Sequence, residues 1–459
     1  MKVVLLSTYD LGHQPFGLAS PAAWLADEGA EVACIDLAVE SLDEGAVREA
    51  GLIALYLPMH TATRLAAKLI PRVIGLNASA HVCCYGLYAP LNEEFLRGLG
   101  VRTILGGEFE GELAALARGL MDNGAKAPGG TAVSHAKLRF RVPDRRGLPD
   151  LTRYGHVTTA EGDRLVAGYT ESSRGCKHLC RHCPVVPVYG GRFRVVDAGV
   201  VLADIRNQVA AGARHITFGD PDFFNGPGHA MGLVRALHSE FPDLSYDVTI
   251  KVEHILLHAR HLRTLSDTGC LFITTAAESV NDRILALLAK GHTRSDFIRA
   301  IALTRDAGVF LSPTFIPFTP WSSLEDYADL LDLLAELDMT AHVAPVQLTM
   351  RLLVTKGSRL FDIPGFRDLL GDFDPGTLGY GWAHPDPRVD ALQVRVRRAV
   401  EEGEGSRDTF AELWRLAGEA LGRPPSGPPA AGRAQSSVPS TDEPWYCCAE
   451  PTVGQFAKI

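Results

Sequence analysis

Residues 176–183 read CysLysHisLeuCysArgHisCys and place three cysteines in one window with the spacing CxxxCxxC. Three thiolates from one loop can hold three irons of a cubane cluster, leaving the fourth iron an open coordination position. An open position is what chemistry at a cluster requires. The competing chemistry is a closed zinc site, in which Cys176, Cys180 and Cys183 are joined by His178 or His182. Structural zinc motifs usually pair CxxC with a second, distant CxxC, and the chain has none.

The remaining thiols divide by context. Cys447 and Cys448 are adjacent in TrpTyrCysCysAlaGluPro, Trp445 to Pro451, on a tail that offers no core to bury them. Such a pair can bind a soft metal or metalloid, carry a substrate as a covalent adduct, or cycle between dithiol and disulfide. Adjacent cysteines form only strained disulfides, which favours the first two. Cys83 and Cys84 end an apolar run that reads as a strand, so their side chains point to opposite faces and belong to the core. Cys34 and Cys270 stand alone in apolar runs, as small buried hydrophobes do.

The elements that must position these residues alternate in type. Up to about residue 120, strands are expected at Val3 to Ser7, Glu31 to Asp36, Leu52 to Leu57, Ala80 to Tyr85 and Arg102 to Leu105, with helical patterns between them. Strands alternating with helices imply an α/β fold with a doubly wound parallel sheet, whose ligands sit beyond the carboxyl ends of the strands. Residues 121–146 are polar and Gly-rich and read as a linker. Over residues 147–340 the alternation resumes, with strands at His215 to Phe218, Ser245 to Lys251, Leu271 to Ala277 and Phe310 to Ile316. This second unit suits a full or partial (β/α) barrel. A C-terminal α+β extension, 341–421, ends in an amphipathic helix from Ser406. Residues 422–444, rich in Pro, Ser, Gly and Ala, read as a disordered linker to the Cys-Cys tail, 445–459.

Bulk properties bound the function. A chain of 459 residues exceeds one core, and its 46% hydrophobic content supplies at least two. A net charge of −9 argues against an electrostatic nucleic-acid binder. The first residues are too short an apolar run for a signal peptide, and no run of about 20 apolar residues follows. A cytoplasmic protein with reduced thiols and no membrane partner is expected.

CxxxCxxC on the loop after the first strand of a β/α barrel resembles the radical S-adenosylmethionine (SAM) superfamily. The resemblance implies that Cys176, Cys180 and Cys183 ligate a [4Fe-4S] cluster whose open iron chelates the amino and carboxylate groups of SAM. An external one-electron reductant such as flavodoxin or ferredoxin then drives cleavage of a carbon–sulfur bond, releasing a carbon radical. His182 fills the slot before the third cysteine that usually carries an aromatic ring. Gly219, with Asp220 or Asp222, matches the turn that meets the methionine amino group. Glu278 matches a ribose contact, and Pro317 with Phe318 would frame the adenine. The bland reading of Asp220, Asp222 and Glu278 is helix capping. Lys251, Glu253 and His254 end the third strand and are weaker candidates.

The first domain looks like the cobalamin-binding arrangement found in part of that superfamily. Gly12, Gln14, Pro15 and Gly17 follow its first strand, and Gly106, Gly107 and Glu108 form the turn after its fifth. The cobalt-ligating motif Asp-x-His-x-x-Gly is not met, since His13 stands three residues after Asp10 and Gly17 four after His13. Bound cobalamin and a fold retained without it both stay open. The tail resembles that of the CUAEP/CCAEP-tail radical SAM proteins, in which selenocysteine can replace the second cysteine, here Cys448.

Together these readings imply a transferase that moves a SAM-derived group, either methyl through cobalamin or another alkyl fragment. The acceptor would be a small molecule or metalloid such as arsenic, held by Cys448 with Cys447 in support. The alternative is an electron-transfer or metalloid-carrier iron–sulfur protein without SAM turnover.

Overall fold

The structure, a computed structural model, describes residues 1–123, 130–403, 409–423, 438–443 and 450–459. Six parallel strands form the first sheet: β1 (Lys2–Ser7), β2 (Glu31–Asp36), β3 (Leu52–Tyr56), β4 (His81–Tyr85), β5 (Thr103–Gly107) and β6 (Thr131–Ser134), in the order β2-β1-β3-β4-β5-β6. Continuous apolar runs such as Val3 to Leu6 are buried on both faces, as a helix-covered parallel sheet demands. Val4, Leu6 and Cys84 pack in the core on one face, Val3, Leu5 and Cys83 in that on the other. The sheet's order reverses between β1 and β3, so their carboxyl ends border the crevice where such sheets bind ligands. Part of the stretch expected as a linker supplies β6, paired with β5 from Ile104 against Thr131 to Gly107 against Ser134.

The second sheet begins with β7 (His156–Thr158) and β8 (Arg164–Thr170). The chain then forms the short antiparallel pair β9 (Ser173–Gly175) and β10 (Phe193–Val195). It returns through β11 (His215–Phe218), β12 (Ser245–Thr249), β13 (Cys270–Glu278) and β14 (Phe310–Phe315). β8 and β11 to β14 run parallel; β7 is antiparallel to β8. The sheet order is β14-β13-β12-β11-β8-β7-β17, so the unit is an open, partial barrel. The extension adds a hairpin, β15 (Leu370–Asp374) and β16 (Gly379–Trp382), and the helices Pro387–Glu402 and Thr409–Ala420. Far along the chain, β17 (Ser440–Thr441) adds to the edge at β7.

The last residues are seated on the first sheet's carboxyl end. Glu443 reaches the Tyr9 hydroxyl at 3.1 Å. Glu450 meets His60 at 2.9 Å and Arg64 at 3.1 Å. The helix Val453–Lys458 starts at a Thr452 capping box, and its Phe456 ring lies 4.0 Å from Lys68 Nζ. Both described flanks of the tail are thus seated, while residues 424–437 and 444, the bulk of the stretch read as a linker, lie outside the described residues. Among the described residues, no helix is long and apolar enough to cross a membrane.

Candidate functional site

The three-cysteine loop follows β9 directly. Gly175 turns the chain with φ +72°, and a Cβ there would fall 2.4 Å from the Arg192 carbonyl oxygen, so only glycine fits. The loop is clamped from three sides: Lys177 N donates to Asn225 Oδ1 at 3.1 Å, Arg181 N to the Leu288 carbonyl at 2.9 Å, and Ser358 Oγ to the Arg181 carbonyl at 3.1 Å. Burial pushes the Cys176 thiol up to about 11 and the Cys183 thiol up to about 12. Such thiols stay protonated near neutrality unless a metal takes the proton's place.

The donor set fits an iron–sulfur cluster. Among the described residues, the group of side chains whose ligand atoms converge within 4.8 Å, as one ion requires, is His178, Asp222 and His254 and not the thiols. Sulfurs on different irons of a cubane stand farther apart than ligands of one ion. Cys176, Cys180 and Cys183 are thus set out for three irons of a cluster rather than for one ion.

Behind the loop a buried charge network reaches the end of β13. Glu278 Oε1 accepts from Lys290 Nζ at 3.2 Å and lies 3.1 Å from His182 Nε2. Burial alone would raise the Glu278 carboxyl, but Lys290 and then His182 outweigh it and hold it at about 2. Glu278 has φ +66° at a register shift between β13 and β14, a left-handed conformation that non-glycine residues seldom adopt. Lys290, a lone cation between two helices, belongs to no motif by which sequence reasoning could single it out.

The other expected SAM contacts have partners within the chain. A Cβ on Gly219 would meet the Tyr169 hydroxyl at 1.8 Å, so this glycine admits a tyrosine ring. Asp220 accepts from Ser172 N and Oγ, both at 2.7 Å, and from Ser173 Oγ at 2.6 Å. Its burial outweighs these bonds and raises its carboxyl to about 7. Asp222 caps a short turn by accepting from Phe224 N at 3.0 Å, in line with the capping reading. Pro317 is buried, and the Phe318 ring packs 5.0 Å from Tyr327 in the core.

In the first domain, Gly12 has φ +72° and a Cβ there would lie 2.5 Å from the Glu443 side chain. Gln14 donates to the Pro149 carbonyl at 2.9 Å and accepts from Arg145 at 2.8 Å. Pro15 stands at the start of the helix Phe16–Asp27, and Gly17 makes room for the Tyr56 ring. A Cβ on Gly106 would meet Pro90, and one on Gly107 the Ser134 carbonyl oxygen at 2.1 Å, which explains both glycines by strand packing. Glu108 is buried 3.5 Å from Arg174, and burial raises its carboxyl to about 7. A cavity of about 290 Å³ remains near the ends of β1 and β2, lined by Thr8, Tyr9, Leu37, Tyr154, Glu443 and Lys458 among others. That is at the small end of ligand cavities, and a corrinoid is far larger. The tail contributes to this lining through Glu443 and Lys458. Cys447 and Cys448 lie outside the described residues.

Residues 170–334 match the family model described as the Radical SAM superfamily. The chain carries a radical SAM domain. That family works with a [4Fe-4S] cluster and SAM. Its cluster loop and the four strands from β11 to β14 all fall inside the matched stretch. Similar curated proteins include a tRNA-2-methylthio-N(6)-dimethylallyladenosine synthase of Desulfosudis oleivorans, 27% identical over 40% of this chain and 41% of that protein. The ribosomal protein uS12 methylthiotransferase RimO of Thermus thermophilus is 27% identical over 37% of this chain and 43% of its own length. The chain thus spans about two fifths of the curated relatives it matches.

Solved structures extend the likeness to the whole fold. The cobalamin-dependent SAM radical enzyme OxsB with aqua-cobalamin bound superposes with a TM-score of 0.69, at 15% identity, over 88% of this chain and 67% of its own. The radical SAM methyltransferase TsrM of Kitasatospora setae, with tryptophan and a SAM analogue bound, gives 0.61 at 19% identity, over 73% of this chain and 71% of its own. The chain therefore shares with them a parallel α/β first domain followed by a partial barrel.

Proposed function

We propose that the protein is a transferase that reductively cleaves SAM at a [4Fe-4S] cluster held by Cys176, Cys180 and Cys183. It moves a SAM-derived fragment to a small-molecule or metalloid acceptor, such as arsenic, held by Cys447 and Cys448. The observation that carries this reading is the clamped three-thiol loop at the end of the partial barrel, inside the radical SAM match.

A cluster held by Cys176, Cys180 and Cys183 would supply one-electron chemistry for cleaving SAM, with an external donor such as a flavodoxin or ferredoxin as the reductant. The chain's own part is positioning and charge. Ligation removes protons that burial otherwise keeps on Cys176 and Cys183. Lys290, fully buried near Cys180 and Cys183, offsets the negative charge that thiolates bring to the loop. Glu278 holds Lys290 and His182 in place. The fragment is either methyl, passed through a cobalamin held by the first domain, or another alkyl fragment of SAM. A small acceptor, not the tRNA named for some relatives, also agrees with the net charge of −9.

Anaerobic reconstitution followed by product analysis tests the reading. We expect about four irons per chain and a SAM-derived product, 5′-deoxyadenosine or methylthioadenosine. Iron content and brown colour that survive the combined Cys176→Ala, Cys180→Ala and Cys183→Ala changes would remove the cluster assignment. A reducible cluster that turns over no SAM would instead leave an electron-transfer protein. Normal turnover by a Cys447→Ala/Cys448→Ala variant would remove the tail from the mechanism.

A further inference from the structure

Beside the cluster loop, three further ligating atoms converge. His178 Nε2 lies 3.2 Å from Asp222 Oδ2, and His254 Nδ1 lies 2.8 Å from the same oxygen. All three atoms fall within 4.8 Å of one another. Each is buried, and none is satisfied by a hydrogen bond of acceptable geometry. The Asp222 side chain is 1% exposed. Its Oδ1 is fixed by Phe224 N, which leaves Oδ2 aimed into the group. Three elements contribute: the cysteine loop brings His178, the turn after β11 brings Asp222, and the helix Val252–Leu257 after β12 brings His254.

We propose that His178, Asp222 and His254 bind a divalent first-row transition ion. Two imidazoles and one carboxylate suit zinc, iron(II) or cobalt(II) and leave coordination positions open. Ligands held about 2.0–2.2 Å from a tetrahedral ion stand roughly 3.3 Å apart, close to the observed 2.8 and 3.2 Å. Buried polar atoms normally find partners, and an ion in their midst satisfies all three at once.

The surroundings supply both support and opposition. His178 Nδ1 lies 3.5 Å from Glu253 Oε2, the carboxylate that would take its proton bond once Nε2 turns to metal. Lys251 Nζ stands 3.1 Å from the same Nδ1 and opposes a cation there. It also touches Glu253 Oε2 at 3.1 Å, so it can keep that partner while releasing the imidazole. From His254 the rings of His258 and His261 follow at 5.4 and then 6.4 Å, half-buried, and mark a route to the surface. An ion here ties the cluster loop to the ends of β11 and β12. Its ligands are not the cluster's, so the two metals can be counted separately.

The test adds Co²⁺ to the full chain after the iron–sulfur cluster has been reconstituted, then measures cobalt and iron after desalting. We expect one cobalt per chain beyond the iron, with visible ligand-field bands and no thiolate-to-cobalt charge-transfer band. His254→Gln and Asp222→Asn should each weaken cobalt binding by at least about 100-fold while iron content holds. No cobalt retained by the wild-type chain overturns the proposal. So does retained cobalt that carries the thiolate band, or that neither substitution displaces.

Discussion

Asp36 ends β2 next to the cavity, 1% exposed, with its carboxylate accepting from Ala38 N at 3.2 Å and the hydroxyls of Tyr154 and Ser7 alongside. Burial outweighs these bonds and raises its carboxyl from 3.8 to about 6. A carboxyl raised by folding lends its stability in full below the unfolded value, and loses it as pH climbs through the folded one. Near neutrality the ionised group is therefore a cost, of order 2–3 kcal/mol at 1.36 kcal/mol per unit. Asp36→Asn keeps the shape and the Ala38 bond. We expect its thermal midpoint to exceed wild type at pH 8 and to match it near pH 4. Equal midpoints at both values would mean that Asp36 is not held protonated. Residue roles were the least legible part of the sequence. Gly219 and Gly107 stand out as glycines in either reading, but only coordinates reveal that a Tyr169 ring and the Ser134 carbonyl fill the space.

At the scale of elements, the strands were largely readable, because a doubly covered parallel strand must be a short continuous apolar run. β1 to β5 fall within a residue or two of expectation. β6 was missed: ThrAlaValSer is too short and polar to stand out, and it becomes a strand through pairing with β5 at the sheet edge. The tail's seating was missed for the same reason, since helix Val453–Lys458 acquires its partners from α-helical and loop residues nearly 400 positions earlier. Phe456 packs against the first domain's core, with Lys68 over its ring. A cation–π contact of about 0.5–1 kcal/mol plus a partly buried ring amounts to roughly a tenfold change in a local opening equilibrium. Phe456→Ala should therefore speed amide exchange across residues 453–458 about tenfold and leave β1 to β5 protected as before. Unchanged exchange would show that the helix is held by its capping box and ion pairs alone.

Across the whole molecule, one side chain joins the first domain to the cluster loop. Arg174, on β9 just ahead of the cysteines, donates to both Glu110 oxygens at 2.6 and 2.9 Å and to Glu171 at 2.6 Å. Glu110 belongs to the first domain and also accepts from Ser20 Oγ at 2.7 Å, so the guanidinium fork spans the boundary. The rings of Phe16, Phe109 and Phe140 pack around it at 5.1 to 5.7 Å. Burial opposes the ionised Glu110, yet Arg174 more than compensates and holds its carboxyl below the usual range. Removing one partner of such a buried pair strands the other charge and costs about 3–5 kcal/mol, whereas replacing both with neutral groups costs far less. Arg174→Gln should therefore split a shared calorimetric unfolding transition into two, with the first domain melting apart from the partial barrel. Adding Glu110→Gln should return much of the lost stability, giving a double-mutant coupling well above the sum of independent sites. If the Arg174→Gln protein melts in the wild-type transition, or if the second substitution deepens the loss, the first domain and the partial barrel are held together by the Arg145–Asp204 pair and the surrounding apolar contacts instead.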